Sequence, residues 1–411
     1  MSIEKYKYDN NFDQSLITLL TDLVNIRSEN PPGLEKELID YMEKFFKDAK
    51  LKTYRLETPL LGRDNLLAVL EGSEQEHKVT SKSNNKGETR SASENEKGGT
   101  IFTGHSDVVT VSEIELKKWE TDPFISCIRD GYIYGRGSCD MKSGLAAASL
   151  ALANLSKIGF KPKYNLAILV TVDEEDSMLG SRSLVGNELL KSYTNLVVCE
   201  PSSLHMCTKS RGRTYGIVEC KGQTSHASKP EEGINSIILA NKFINKILDI
   251  DLTEYSNEYG SSHIRPLSIH AKVDPWVVPD KCSIGLDARL TLGHYPADVW
   301  KKVDEIIKEL NAEIKSGSKL DYNIIDEREP WSQDSCDLVS NFKSILSSYE
   351  LDTNEYCFTG TTDGTPLRRD GRNVIIIGPG DLSYAHKENE RVSIDELILA
   401  YKIYIEYMLN A

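Results

Sequence analysis

The sequence predicts an α/β protein: a mostly parallel sheet flanked by helices, with an inserted α+β domain of ferredoxin-like order. Three observations predict it. Short apolar runs alternate with segments of helical periodicity through the first half of the chain. Acidic and imidazole groups recur just past the ends of those runs, where parallel sheets gather their functional groups. Near Arg211 the pattern changes to strand-helix-strand-strand-helix-strand, before the first pattern returns. The expected division is residues 1–212 and 331–411 for the larger domain and 213–330 for the insertion.

Leu16, Leu19, Leu20, Leu23 and Ile26 recur at helical spacing and open the chain with an amphipathic helix, which Asn-Pro-Pro-Gly at 30–33 ends. Leu38, Met42 and Phe45 mark a second helix, and residues 65–70 a buried strand. Residues 73–99 are rich in Ser, Glu, Lys, Asn and Gly, with almost no apolar side chains. Such a segment cannot bury enough surface to offset its ordering entropy. It reads as a mobile surface insertion between two strands that pair in the core. Residues 100–103 form a buried strand that runs into Gly-His-Ser-Asp at 104–107. If the strand continues, His105 and Asp107 leave one face together. The glycine-rich stretch 135–144 presents Asp140 ahead of a helix starting near Ser143. Residues 165–172 are a buried strand ending in Asp173, Glu174 and Glu175; a further helix and a strand at 196–199 end in Glu200.

In the insertion, strands fall at 215–221, 267–273, 283–290 and 320–325, with helices at 237–248 and 299–310. The remainder holds a helix with Leu338, Phe342, Ile345 and Leu346, a loop at 360–365 and a buried strand at 373–377. Gly378-Pro-Gly380, His386 and a closing helix from about Ser393 complete the chain.

At 411 residues there is room for two domains, and an apolar content of 39% supplies both cores. A net charge of −14 argues against a nucleic-acid groove or an anionic membrane partner. No apolar run approaches the roughly 20 residues that span a bilayer. The first residues lack the apolar core of a signal peptide. The eight cysteines form no Cys-x-x-Cys pair and read as reduced thiols of a cytoplasmic protein, with Cys127, Cys199, Cys220 and Cys282 in the core.

The strand-end groups are His105, Asp140, Glu174, Glu175, Glu200 and His386. Taken singly, each acid reads as a solvated carboxylate and each imidazole as a satisfied core histidine. Together, two histidines and three carboxylates can build two metal sites that share one carboxylate, with a fourth acid left over. The glycines at 131–144 match neither nucleotide-binding pattern.

The ordered motifs resemble one known family. They are Gly-His-x-Asp (104–107), Gly-Arg-Gly-x-x-Asp-Met-Lys-x-Gly (135–144), Asp-Glu-Glu (173–175), Glu-Pro-Ser (200–202), Ser-His-Ala-Ser-x-Pro (225–230), Val-Val-Pro-Asp (277–280) and Ala-His-x-x-Asn-Glu (385–390). That family is the di-zinc aminoacylase/carboxypeptidase metallopeptidases, which include acetylornithine deacetylase and succinyl-diaminopimelate desuccinylase. The resemblance spans nearly the whole chain apart from residues 73–99. It implies a zinc-peptidase-like catalytic domain with a lid or dimerisation domain, and two divalent ions, zinc foremost, with cobalt or manganese compatible.

By the same resemblance Asp140 bridges both ions, His105 and Glu200 complete one site, and Glu175 and His386 complete the other. Asp107 orients His105 by a hydrogen bond, and Glu174 is the general base acting on a metal-bridged water. His226 holds the oxyanion, reaching across from the partner subunit in dimeric members. Arg289 binds a substrate carboxylate, and Gly360, Thr361, Thr362 and Gly378 line the substrate. The Asp140–Met141 peptide is cis. The activity implied is hydrolysis of the amide of an N-acyl amino acid or related small N-acyl compound by a homodimer joined through the lid domain. The alternative is a dipeptidase, aminopeptidase or carboxypeptidase. A non-catalytic metal-binding homologue would need a lost ligand or base, and none of the six groups is missing. Trp276 departs from the family, standing where many relatives place a substrate-binding Asn, and Ser143 stands in place of a usual Gly.

Overall fold

Four parallel strands form the middle of the larger sheet: Leu166–Thr171, Gly99–His105, Tyr193–Val198 and Asn373–Ile376, in that spatial order. Lys52–Leu56 and Asn65–Leu70 extend it antiparallel on one side, and Cys207–Ser210 on the other. The sheet is thus parallel where it carries chemistry and antiparallel at its margins. The structure, a computed structural model, describes residues 12–74, 98–271, 275–314 and 317–411. Most of the stretch 73–99 lies outside them. The expectation that its flanking strands pair is corrected: Asn65–Leu70 and Gly99–His105 lie on opposite sides of Leu166–Thr171. A sheet strand so uniformly apolar carries no sequence signal for its neighbours.

Asn65–Leu70, Gly99–His105 and Leu166–Thr171 are buried along their whole length, under helices. Lys142–Lys157 is buried nearly all round, and its Ala146, Ala147, Ala148, Ala151 and Ala153 let it fit between the sheet and the helices Phe12–Asn25 and Ile394–Asn410. Ser393 caps the latter helix by accepting from Glu396 N. Phe102 on the sheet meets Tyr404 and Tyr407 edge-on at 5.3 and 5.8 Å. Burying a ring of this size contributes about 1.5–3 kcal/mol. The helix expected after Glu175 is a single turn, Leu179–Arg182. Cys199 is buried in this unit, whereas Cys127 is only half-buried on a short outer strand, and all eight cysteines are free.

The chain divides into two units, the second being Lys209–Ser332 with Cys357–Thr361. Its antiparallel sheet has the order His263–Ala271, Lys281–Leu290, Gly212–Lys221 and Lys319–Arg328. Helices Ser236–Leu248 and Pro296–Glu313 cover one face through Phe243, Ile284, Leu286, Trp300 and Val303. Asn235 caps the first helix, and Pro296 opens the second with a φ already set for it. This is the ferredoxin-like arrangement.

Candidate metal centre

The parallel strands deliver the ligand-type groups to one end of the sheet. His105 is the last residue of its strand, Glu174 and Glu175 follow Thr171, and Glu200 follows Val198. Asp140 stands just ahead of the Lys142–Lys157 helix, next to a cis Asp140–Met141 peptide, as the family resemblance implies. His105 Nε2 lies 3.2 Å from one Asp140 oxygen, and His386 Nε2 lies 3.4 Å from the other. Each imidazole has its own second acid: Glu200 at 3.7 Å from His105 Nε2 and Glu175 at 3.1 Å from His386 Nε2. Ligand atoms of His105, Asp140 and Glu175 all fall within 4.8 Å of one another. Asp140 therefore stands between His105 with Glu200 on one side and His386 with Glu175 on the other.

The charges explain what such a cluster needs. Among the described residues, Asp140, Glu174, Glu175 and Glu200 gather around two imidazoles, those of His105 and His386. Burial pushes Glu200 well above the usual carboxylate range, and the Asp140 charge adds to it. Burial and Asp140 raise Glu175 in the same way. Asp140 goes the other way: burial opposes its charge, but hydrogen bonds from both histidines hold it well below that range. His386, against its own burial, is driven up to about 11 by Asp140 and Glu175. Divalent cations suit the same atoms with both imidazoles neutral, so the donor set fits a pair of metal ions.

Asp107 holds the centre differently from the expectation. The strand ends at His105, so the same-face relation does not carry to Asp107. The Asp107 carbonyl takes His105 Nδ1 at 2.8 Å and fixes the tautomer, while its carboxylate is 3.7 Å away. That carboxylate accepts instead from the backbone N–H groups of Glu174 and Glu175, at 3.2 and 3.1 Å, and from Asn30 Nδ2 at 3.0 Å. It positions the two glutamates as a unit.

Further supports were not apparent in the sequence. Asn30 also donates to Asp173 at 3.0 Å, and Arg63 joins Asp173 to the fully buried Glu35. Asp363 accepts from Thr171 Oγ1 at 2.5 Å and from Ser181, pinning the end of the strand that leads to Glu174. Glu390 is the most connected of them. Its Oε1 accepts from the backbone N–H groups of Gly137, Cys139 and Asp140 at 2.9, 3.1 and 3.0 Å. Its Oε2 pairs with Arg136 at 2.7 Å. One carboxylate so ties the Asp140 turn to the loop carrying His386. Its place in Ala-His-x-x-Asn-Glu was the available signal. Gly144 and Gly378 both press on Cys199, where a Cβ would overlap its carbonyl oxygen, so glycine lets the Glu200 turn close in. Gly378, expected to line the substrate, has this backbone role.

Of the remaining predicted residues, all but Thr362 belong to the second unit. His226 is exposed, with Nδ1 2.8 Å from Ser228 Oγ. Its segment pairs with Val277, which places the 72% exposed Trp276 beside it. Arg289 Nε donates to Asp287 at 2.9 Å, and Thr361 accepts from Arg328 at 3.0 Å. The Gly360 carbonyl accepts from Ser210 at 3.1 Å. Thr362, in the first unit, donates nothing to a ligand-type group and accepts from Gly364 N at 3.2 Å.

A shared carboxylate with two flanking His–Glu pairs, at the carboxyl ends of a parallel sheet, is the arrangement of a metal-dependent hydrolase. Residues 101–410 match the family model for peptidase family M20/M25/M40, and the chain belongs to that family. Among curated relatives, a succinyl-diaminopimelate desuccinylase of Polynucleobacter necessarius is 26% identical, over 74% of this chain and 80% of its own. An uncharacterized metallohydrolase of Methanocaldococcus jannaschii is 26% identical over 96% of this chain and 99% of its own. Among solved structures, a tripeptidase of Staphylococcus aureus shares the fold, with a TM-score of 0.74 and 20% identity, over 97% of this chain and 99% of its own.

Proposed function

We propose that the protein hydrolyses the amide bond of an N-acyl amino acid or related small N-acyl compound. His105, Asp140 and Glu200 would hold one divalent ion, and Asp140, Glu175 and His386 the other, zinc in both. Bound there, such ions polarise the amide carbonyl and bring the pKa of water towards about 7. The placement of the two Asp140 oxygens against separate histidines is the observation that carries this reading.

Glu174 is buried, and its backbone is fixed by Asp107. It takes a proton from the attacking water as the new C–O bond forms, and delivers it to the amine nitrogen as the C–N bond breaks. His226 supplies a donor to the developing oxyanion from an exposed position that closure, or a partner subunit, can bring to it. Arg289 receives the substrate carboxylate. A homodimer through the second unit is supported by Leu267 and Ile269, exposed on an edge strand, and by Ile237, Ile238 and Leu248 on one helix. The eight free cysteines support a cytoplasmic location. No described helix is long and apolar enough to cross a membrane.

A dipeptidase is the second reading, favoured by the exposed Trp276, which suits an apolar residue side chain. A panel of N-acetyl, N-succinyl and N-formyl amino acids against dipeptides, on metal-loaded enzyme, tests both. Turnover of the N-acyl compounds, abolished by chelator, is expected. A preference for dipeptides selects the second reading, and turnover of neither overturns both.

A further inference from the structure

Two adjacent rows on one face of the second unit's sheet carry charge in the opposite sense to the chain as a whole. The strand register places His263, Arg289, Arg213 and Arg328 side by side, one from each strand. Two residues along each strand, and so on the same face, stand Arg265, Asp287, Tyr215 and Asp326. This face turns away from the two helices, because Val218, Ile264, Leu286, Ala288 and Leu290 occupy the alternate, helix-covered phase. A one-residue bulge between Ile324 and Asp326 resets the phase of the fourth strand, which brings Asp326 and Arg328 onto it.

Four guanidinium groups here meet two carboxylates, leaving two positive charges in a chain of net charge −14. The pairing geometry decides what those charges can do. Arg213 and Arg289 both reach Asp287 through Nε, at 2.7 and 2.9 Å. Arg328 reaches Asp326 through Nε at 2.7 Å and gives a terminal nitrogen to Thr361. Among the described residues, the terminal nitrogens of Arg213 and Arg289 make no hydrogen bond. Asp287 is buried and holds both guanidinium groups by their inner edge, while the side chains remain 25% and 40% exposed. Two oriented forks are thereby turned to a ligand from neighbouring strands. Neighbouring strands lie about 4.8 Å apart, on the scale that separates the two carboxylates of a short diacid. His263, at the end of the row, is pushed below the ordinary imidazole value by its burial and by Arg211, Arg265 and Arg289, in keeping with an anion-seeking surface.

We propose that Arg213 and Arg289 together form a dicarboxylate subsite, each guanidinium taking one carboxylate of a ligand whose two acid groups are joined by a short linker. The inference rests on the reading of Arg289 as a carboxylate ligand and extends it. It narrows the substrate class to N-acyl compounds with a second carboxylate in one portion. Arg213 and Arg289 outnumber Asp287, and Arg265 on the same face adds a further positive charge, which favours an anionic portion; a bidentate fork suits each carboxylate.

The test is calorimetric titration of the full-length, metal-loaded enzyme with free glutarate and with pentanoate, which has the same carbon count and one carboxylate. Glutarate should bind at least about tenfold more tightly than pentanoate. Arg213→Gln should weaken glutarate about tenfold and leave pentanoate nearly unmoved. Arg289→Gln should weaken both acids, and repeats the measurement in a second variant; metal content and melting temperature report folding for each. Equal affinity for the two acids, no binding of either, or unchanged glutarate affinity in Arg213→Gln overturns the proposal. Binding of a free acid breaks no bond, so it is read separately from the amide panel. Turnover can fail while the subsite stands, and the reverse holds equally.

Discussion

Two histidines of the first unit and two of the second are held in opposite electrostatic senses. In the first unit His105 and His386 are drawn up by Asp140, Glu175 and Glu200, against their own burial. In the second, burial presses down His263 and His294, and at His263 neighbouring arginines add to it. His294 is fully buried, stacks on Tyr255 at 3.6 Å, and has neither ring nitrogen hydrogen-bonded. The difference teaches that one residue type marks two kinds of surface. Acids around an imidazole make a surface that suits cations, and arginines around one, as at His263, make a surface that suits anions. Removing a group from the acidic cluster should therefore damage chemistry or ion binding, and removing the buried imidazole of the second unit should change only acid sensitivity.

The largest effect is expected from Glu174→Ala. Loss of the base should lower kcat by about 10²–10⁴ while metal content stays near two per chain. Normal turnover in this variant would remove Glu174 from the role. Glu390→Gln comes next, since the amide keeps the shape but meets Arg136 with the wrong partner atom. Affinity for the ion at Glu175 and His386 should fall about 10–100-fold, as for other groups that hold ligands in place. The site at His105 and Glu200 should change less, because the Asp107 carbonyl and the sheet anchor it independently. Sequential titration of metal-free protein with cobalt, followed by its visible absorption, resolves the two steps; two equally weakened steps would contradict this division.

The smallest effect concerns acid stability. The folded state resists protonating His294, with Asp298 and Glu254 partly countering burial and Lys302 adding to it. Below the ordinary imidazole value of 6.5 the unfolded chain takes up a proton that the folded chain refuses. Stability from this group is complete above that pH and is lost as pH falls beneath it. Melting temperatures of the wild type and His294→Phe between pH 7.5 and 5.5 should diverge, with the wild type losing more. Parallel slopes would show that His294 titrates as an ordinary imidazole.

Much of the first unit was legible because apolar runs ending in acids announce parallel strands, and because His105, Asp140, Glu174, Glu175, Glu200 and His386 stand in fixed motifs. The strand order was not, since Asn65–Leu70, Gly99–His105 and Leu166–Thr171 are alike in composition. Nor was the grip of Asp107 on the two glutamates, or the Glu35–Arg63–Asp173 chain, because hydrogen bonds across the fold have no periodicity. The row from His263 to Arg328 needed the register and a bulge to become visible. In the sequence those residues are isolated basic positions spread over four strands.

The Glu390 clasp has a consequence for biosynthesis. It joins a turn near residue 140 to a loop near 390, and the whole second unit is translated between them. A nascent chain lacks His386, Glu390 and the inner strand Asn373–Ile376 until the residues that follow the second unit have emerged. The clasp closes a span of 250 residues, so the Asp140 turn is locked only after stretches on both sides of the second unit have met.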